Sequence, residues 1–240
     1  MHRLFFLLVV LMIFLEGYSQ NTSVYQKGIT AEQNLKAISA LAPYSDGAIG
    51  FDNRYQGIRG SPRLFDTLLV SFLLLKGQDY YIQVEADLDI AGNMVLFNHP
   101  KTHKLTAIPS DIVKEIIFNK AGKDLLFRTS TGSPFDREIK EERFFQVLKD
   151  APVPFIKMPL KTFTEADYKG AYSADRRYDE FETKTRYYLM GKDNIFHQVQ
   201  LTRKSLEKLY PEKKDLIEKA FSEKTNLNNE DLVVSIIEKF

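Results

Sequence analysis

Three acidic residues at every second position, Glu85, Asp87 and Asp89, stand first among the side chains that could do chemistry. On a strand, residues i and i+2 share a face about 6–7 Å apart, a separation that suits the carboxylate pair of a glycoside hydrolase. Such a pair also needs an apolar cleft to raise one of its acidity constants, and a sequence cannot display a cleft. The same stretch, Asp87-Leu88-Asp89-Ile90-Ala91-Gly92, carries its glycine where a calcium loop carries one. Ala91 then stands where an oxygen ligand is wanted, and Asn98 where a bidentate Glu would close the shell. The simplest reading of the trio is a solvated sheet face running into a hairpin turn.

His99 and His103 have the spacing of zinc ligands on a helix, but Pro100 between them and strand-like sequence on either side put them in a turn. His197 stands alone on a strand and reads as structural. No Gly-x-Ser-x-Gly elbow and no phosphate-binding glycine loop occurs; Gly57-Ile58-Arg59-Gly60 is a loop with two glycines. Arg176-Arg177 and Lys213-Lys214 read as solvated charge. No catalytic, cofactor-binding or metal-ligating residue is therefore assigned, with Glu85, Asp87 and Asp89 kept as the carboxylates to watch and no cofactor expected.

The elements that position these side chains begin after an apolar run. Met1-His2-Arg3 is a short positive start, and Leu4 to Leu15 is continuously apolar. That fits the central region of a secretory signal and falls short of the roughly 18 residues of a membrane span. Gly17 and Ser19 are small enough for the −3 and −1 pockets of a signal peptidase, which places the cut between Ser19 and Gln20. No later apolar stretch is long enough to cross a bilayer, so the expected product is soluble and exported. Cysteine is absent, which removes disulfides, thiolate catalysis and Cys-type zinc sites. A net charge of +1, with both signs mixed along the chain, makes nucleic acid a poor partner.

With 44% hydrophobic and 27% charged residues, the chain has material for a core and no sign of general disorder. Five stretches follow from the pattern: a signal over 1–19, a leader with a short helix and loop over 20–60, a β-meander over 61–135, further strands over 136–201, and C-terminal helices over 202–240. Thr30 to Gln33 has the form of a capping box for a helix over about 31–41. Tyr80 to Ile90 alternates cleanly, with Tyr81, Gln83, Glu85, Asp87 and Asp89 on one face and Tyr80, Ile82, Val84, Ala86, Leu88 and Ile90 on the other. Strand-like runs recur at Leu68–Leu75, Met94–Phe97, Lys104–Ile108, Ile112–Asn119, Lys123–Thr129, Phe144–Leu148, Phe155–Leu160, Phe181–Met190 and Ile195–Leu201. After Thr202 the period turns helical, with Asn229 placed to cap the last helix. The fold class is α+β: an antiparallel β-meander, either an open curved sheet or a partly closed barrel, with C-terminal helices. Phe240 does not indicate an outer-membrane barrel, because the apolar residues before it have helical spacing.

Gly60-Ser61-Pro62-Arg63-Leu64-Phe65-Asp66, Met94-Val95-Leu96-Phe97, Ile108 to Glu115 and the Tyr187-Tyr188 strand form a pattern. In it the chain resembles a loose group of exported envelope proteins of Gram-negative bacteria with no assigned activity. A Trp-Gly pair common in that group is absent from Thr67 to Phe72. The resemblance implies the fold and a place in the periplasm or at the outer membrane, and supplies no catalytic residue.

Together these features give an exported protein, most simply a non-enzymatic binding or structural module whose partner is an envelope protein or a surface polymer. A hydrolase using the carboxylate trio and a small barrel carrying an apolar ligand are the rival readings.

Overall fold

The computed structural model describes residues 36, 39–44, 58–139, 141–166, 178–223 and 226–240. The expected signal and its cleavage point, most of the leader, and the Thr30–Gln33 box lie outside the described residues. Of the first helix, Lys36 and Ser39 to Leu41 are helical, followed by a 3-10 turn over Ala42–Tyr44.

Ten strands follow: β1 (Leu69–Leu75), β2 (Ile82–Asp89), β3 (Met94–Asn98), β4 (Leu105–Pro109), β5 (Val113–Lys120), β6 (Lys123–Thr129), β7 (Phe144–Lys149), β8 (Phe155–Thr164), β9 (Glu180–Met190) and β10 (Phe196–Val199). Three helices close the chain: α1 (Arg203–Leu209), α2 (Lys214–Ser222) and α3 (Asn229–Ile237). All ten strands join one antiparallel sheet in the order β10-β9-β8-β7-β6-β5-β1-β2-β3-β4, so the meander and the later strands are parts of a single sheet. The sheet is open, and the expected α+β meander with C-terminal helices is present. No helix among the described residues is long and apolar enough to cross a membrane.

The meander is interrupted once: β5 pairs with β1, not with β4. Only the 3-10 turn Ser110–Ile112 links β4 to β5. From Pro109 to Val113 there are four Cα steps, at most about 15 Å, whereas four strand spacings in a flat sheet come to about 19 Å. The β1–β4 part must therefore curl back on itself. Its core holds Leu73, Val84, Ala86, Leu88, Phe97 and Ile108 from these strands and Ile116 and Phe118 from β5. Ser110 ties the corner by accepting the Asn93 amide and donating its own N–H to the Asn93 carbonyl. The β5–β6 hairpin turns on Ala121 and Gly122, both at positive φ (51° and 78°), as a two-residue turn matched to strand twist requires.

A second core lies at the other end of the sheet, where α1–α3 cover Phe155, Leu189 and Val199. Leu206, Ile217, Leu232, Val233, Ile236 and Ile237 supply its helical side, as the apolar spacing predicts. The cap of α3 is Asn228, one residue before the expected Asn229, because the Asn228 side chain is the one that accepts the Asp231 N–H. The reverse face carries a third cluster in which Phe135 stacks on Phe196 and meets Tyr188 edge-on.

Candidate functional site

The long β8–β9 hairpin governs the site. Its register runs unbroken from Phe155↔Leu189 to Thr164↔Glu180, but β10 covers only Tyr187 to Met190 of β9. β10 stops because Thr202 turns its N–H back to the Gln200 carbonyl and then caps α1 through its hydroxyl, at 3.4 Å from the Ser205 nitrogen. The chain leaves the sheet there, and a groove of about 720 Å³ opens between β9, the end of β10 and the start of α3. Thr185, Arg186, Gln198, Gln200, Asn228 and Asn229 are among its walls, a lining of amides, hydroxyls and one guanidinium.

Within the groove, Glu230 accepts hydrogen bonds from Lys157 Nζ at 2.7 Å and Tyr187 Oη at 2.6 Å, both on Oε1. Burial alone would favour the protonated acid, but these two donors hold the Glu230 carboxyl below its usual range. Burial pushes the Tyr187 phenol well above its ordinary value, and its bond to the Glu230 carboxylate adds to the effect. At neutral pH Glu230 is therefore ionised while Tyr187 keeps its proton. The Glu230 Oε2 takes no part in either bond, which suits it to accept from a bound molecule.

Beside the groove, the β9–β10 turn sets Asp193 Oδ2 2.9 Å from His197 Nε2, while His197 Nδ1 lies 3.7 Å from Asp136. Hydrogen bonding from His197 holds the Asp193 carboxyl below its usual range. Asp136 also accepts the Gln198 N–H, and Asp136 and Pro134 both bond the Phe196 backbone, so this strap covers the outer edge of β10.

The carboxylates singled out in the sequence are placed differently. Glu85 is exposed and accepts from Asn98 Nδ2 at 3.0 Å. Asp87 and Asp89, expected on the same solvated face, are buried. The cause is the Gly60–Asp66 segment, which pairs with the edge of β2 beyond the end of β1, Arg63 opposite Asp89, and brings the Arg63 side chain and the Phe65 amide onto Asp87. Leu64 donates its N–H to Leu88, and Ile90 donates to Pro62. Asp87 accepts from Arg63 Nε at 2.9 Å and from the amides of Phe65 and Leu88, so its oxygens are engaged in anchoring that segment. Burial nonetheless raises the Asp87 carboxyl above its usual value, against the pull of Arg63. Asp89 accepts the Gly92 amide at 2.7 Å, which makes it the opening of the hairpin turn. The structure therefore does not bring the three carboxylates together around a cleft.

His99 and His103 also separate. His99 is buried, its Nδ1 accepting the amides of Lys101 and Thr102 at 3.2 Å each, while His103 is exposed at φ 53°. Among the described residues no group of three or more His, Asp or Glu side chains is arranged to hold a metal ion. The groove residues Tyr187 and Glu230 and their neighbour Lys157 were not legible as a set, because they come from three elements; the only signal in the sequence was the Tyr187-Tyr188 pair.

No protein-family model matches this chain, and no curated protein or solved structure matches it either.

Proposed function

We propose that this chain is an exported envelope protein that acts by binding, and that the groove between β9 and α3 is where its partner sits. The observation that carries this reading is the Lys157–Glu230–Tyr187 trio: an ionised carboxylate with one oxygen saturated by the protein and the other open to a ligand. General acid–base work wants a group whose pKa lies near the operating pH. Here hydrogen bonding, against burial, drives Glu230 downward, while burial together with the bond to Glu230 drives Tyr187 upward. Such an arrangement keeps its charge pattern constant and offers fixed donors and acceptors, which is what recognition requires. The sequence adds the signal-like start and the resemblance to exported envelope proteins, which put the partner in the periplasm or at the outer membrane.

The test is a binding panel of envelope glycans and peptides read by backbone amide shifts of the labelled protein. Binding should shift the amides of Thr185, Gln200 and Asn229 together, and Glu230→Gln should weaken it. Turnover of a panel member, or shifts confined to surfaces away from the groove, would overturn the reading.

A further inference from the structure

Among the described residues, β9 has an unpaired stretch of backbone along its groove side. In an antiparallel ladder, successive residues direct their N–H and C=O groups to opposite edges. Phe181 donates its N–H to Arg59 and Gly191 donates to Ile195, both on the side away from β8, while Met190 donates toward Pro154 on the β8 side. The register between β8 and β9 has no bulge, so Thr183 and Thr185 also face away from β8. Pro159, which has no N–H to give, lies opposite Thr185, as a position outside the β8–β9 bonding pattern permits. Arg59 covers this edge at Glu180–Phe181 and β10 covers it from Tyr187 onward. Between them Thr183 to Arg186 are exposed, and no strand among the described residues pairs with them there.

We propose that this window receives an extended, acidic segment of a partner protein as an added strand; the inference rests on the binding reading above and names its ligand. The ladder specifies the backbone, since only another extended chain meets alternating N–H and C=O groups spaced along an edge. This edge already takes extended backbone on each side of the gap, a single parallel bridge from Arg59 and the antiparallel strand β10. The side chains specify the charge. Lys184 is paired with Glu182 at 3.0 Å, but Arg186 is exposed and forms no ion pair among the described residues. A second copy of β9 is a poor occupant, because antiparallel self-pairing would bring Lys184 and Arg186 against their own kind. The outer edge of β8 is a poorer template, since Pro159 breaks its row of donors.

The experiment uses the full chain and a short synthetic peptide of alternating valine and aspartate, with a valine–lysine peptide as its counterpart. In the free protein the amides of Thr183 and Thr185 should exchange with solvent freely, while those of Lys184 and Arg186, bonded to β8, are protected. The aspartate peptide should protect Thr183 and Thr185 and the lysine peptide should not. Thr185→Pro removes one edge donor that β8 does not use and should weaken binding about tenfold. If that variant fails to fold, Arg186→Glu should reverse the preference between the two peptides. Prior protection of Thr183 and Thr185, or peptide binding indifferent to both variants, would overturn the inference. A glycan that shifts the groove while neither peptide binds would overturn it too, and would leave the binding reading standing.

Discussion

Arg63 donates its Nε to the fully buried carboxylate of Asp87 at 2.9 Å, and this contact adds to the backbone bonds that fasten the Gly60–Asp66 segment along β2. With the cation removed, Asp87 keeps two amide donors and loses its charge partner. Arg63→Ala should therefore destabilise the fold by about 2–3 kcal/mol in urea unfolding, and should raise the Asp87 pKa further. Burial already sets that pKa above its unfolded value near 3.9. The folded state then binds the proton more tightly than the unfolded chain. Stability from this group is greatest below the unfolded pKa and falls as pH rises through the folded one. Stability of Asp87→Asn that followed pH as the parent does would refute this assignment.

Gly92 sits where a side chain cannot. A Cβ built there would meet Asp89 Oδ2 at 2.7 Å, while Asp89 Oδ1 holds the Gly92 amide. Gly92→Ala should cost about 1–3 kcal/mol by forcing that carboxylate out of the turn. In the Asp89→Ala background the same change should cost much less, a coupling that a double-mutant cycle measures.

The strand boundaries were readable because alternation and turn residues are local properties: Tyr80 to Ile90 contains β2, and Ala121-Gly122 marks the β5–β6 hairpin. The pairing of β5 with β1 was not readable, since Ser110–Ile112 looks in sequence like any short turn, and only its limited reach shows that the sheet curls. Burial of Asp87 was hidden for a related reason. Period-2 alternation assigns a residue to a face of its own strand and says nothing of a distant segment that pairs alongside and closes on that residue. The groove was less legible still. Its donors come from β8 and β9 and its acceptor from α3, and its opening depends on where Thr202 diverts the chain, a hydrogen bond that no composition signal reports.

Tyr187 and Glu230 give the groove a pH signature with two limits. The Glu230 pKa is depressed in the folded state, so its contribution is present above about pH 4.3 and is lost as pH falls through the folded value. The Tyr187 pKa is raised, so its contribution is present below about pH 10 and is lost as pH climbs through the folded value. Glu230→Gln should bring Tyr187 ionisation down in a tyrosinate absorbance titration. Tyr210, whose pKa is raised mainly by burial and then by Glu212 and Asp193, should not move. Equal shifts of both tyrosines would show a general loosening instead of a broken contact.

Arg128 bridges two carboxylates of unequal worth. Both its terminal nitrogens bond Asp150 at 2.9 Å, and its Nε reaches Glu115 at 3.1 Å. The bidentate contact has the better geometry and is the largest cause holding the Arg128 pKa above its usual value. Asp150 is 57% exposed, however, so water replaces what the contact loses. Glu115 is nearly buried and also accepts from the Tyr81 hydroxyl. Asp150→Asn should therefore cost less than about 1 kcal/mol, and Arg128→Met about 2 kcal/mol, because the latter strands the Glu115 charge. In the Glu115→Gln background the cost of Arg128→Met should fall to that of Asp150→Asn. Chemical denaturation of the four variants decides it: if Asp150→Asn is as damaging as Arg128→Met, the exposed fork, and not the buried carboxylate, holds these strands together.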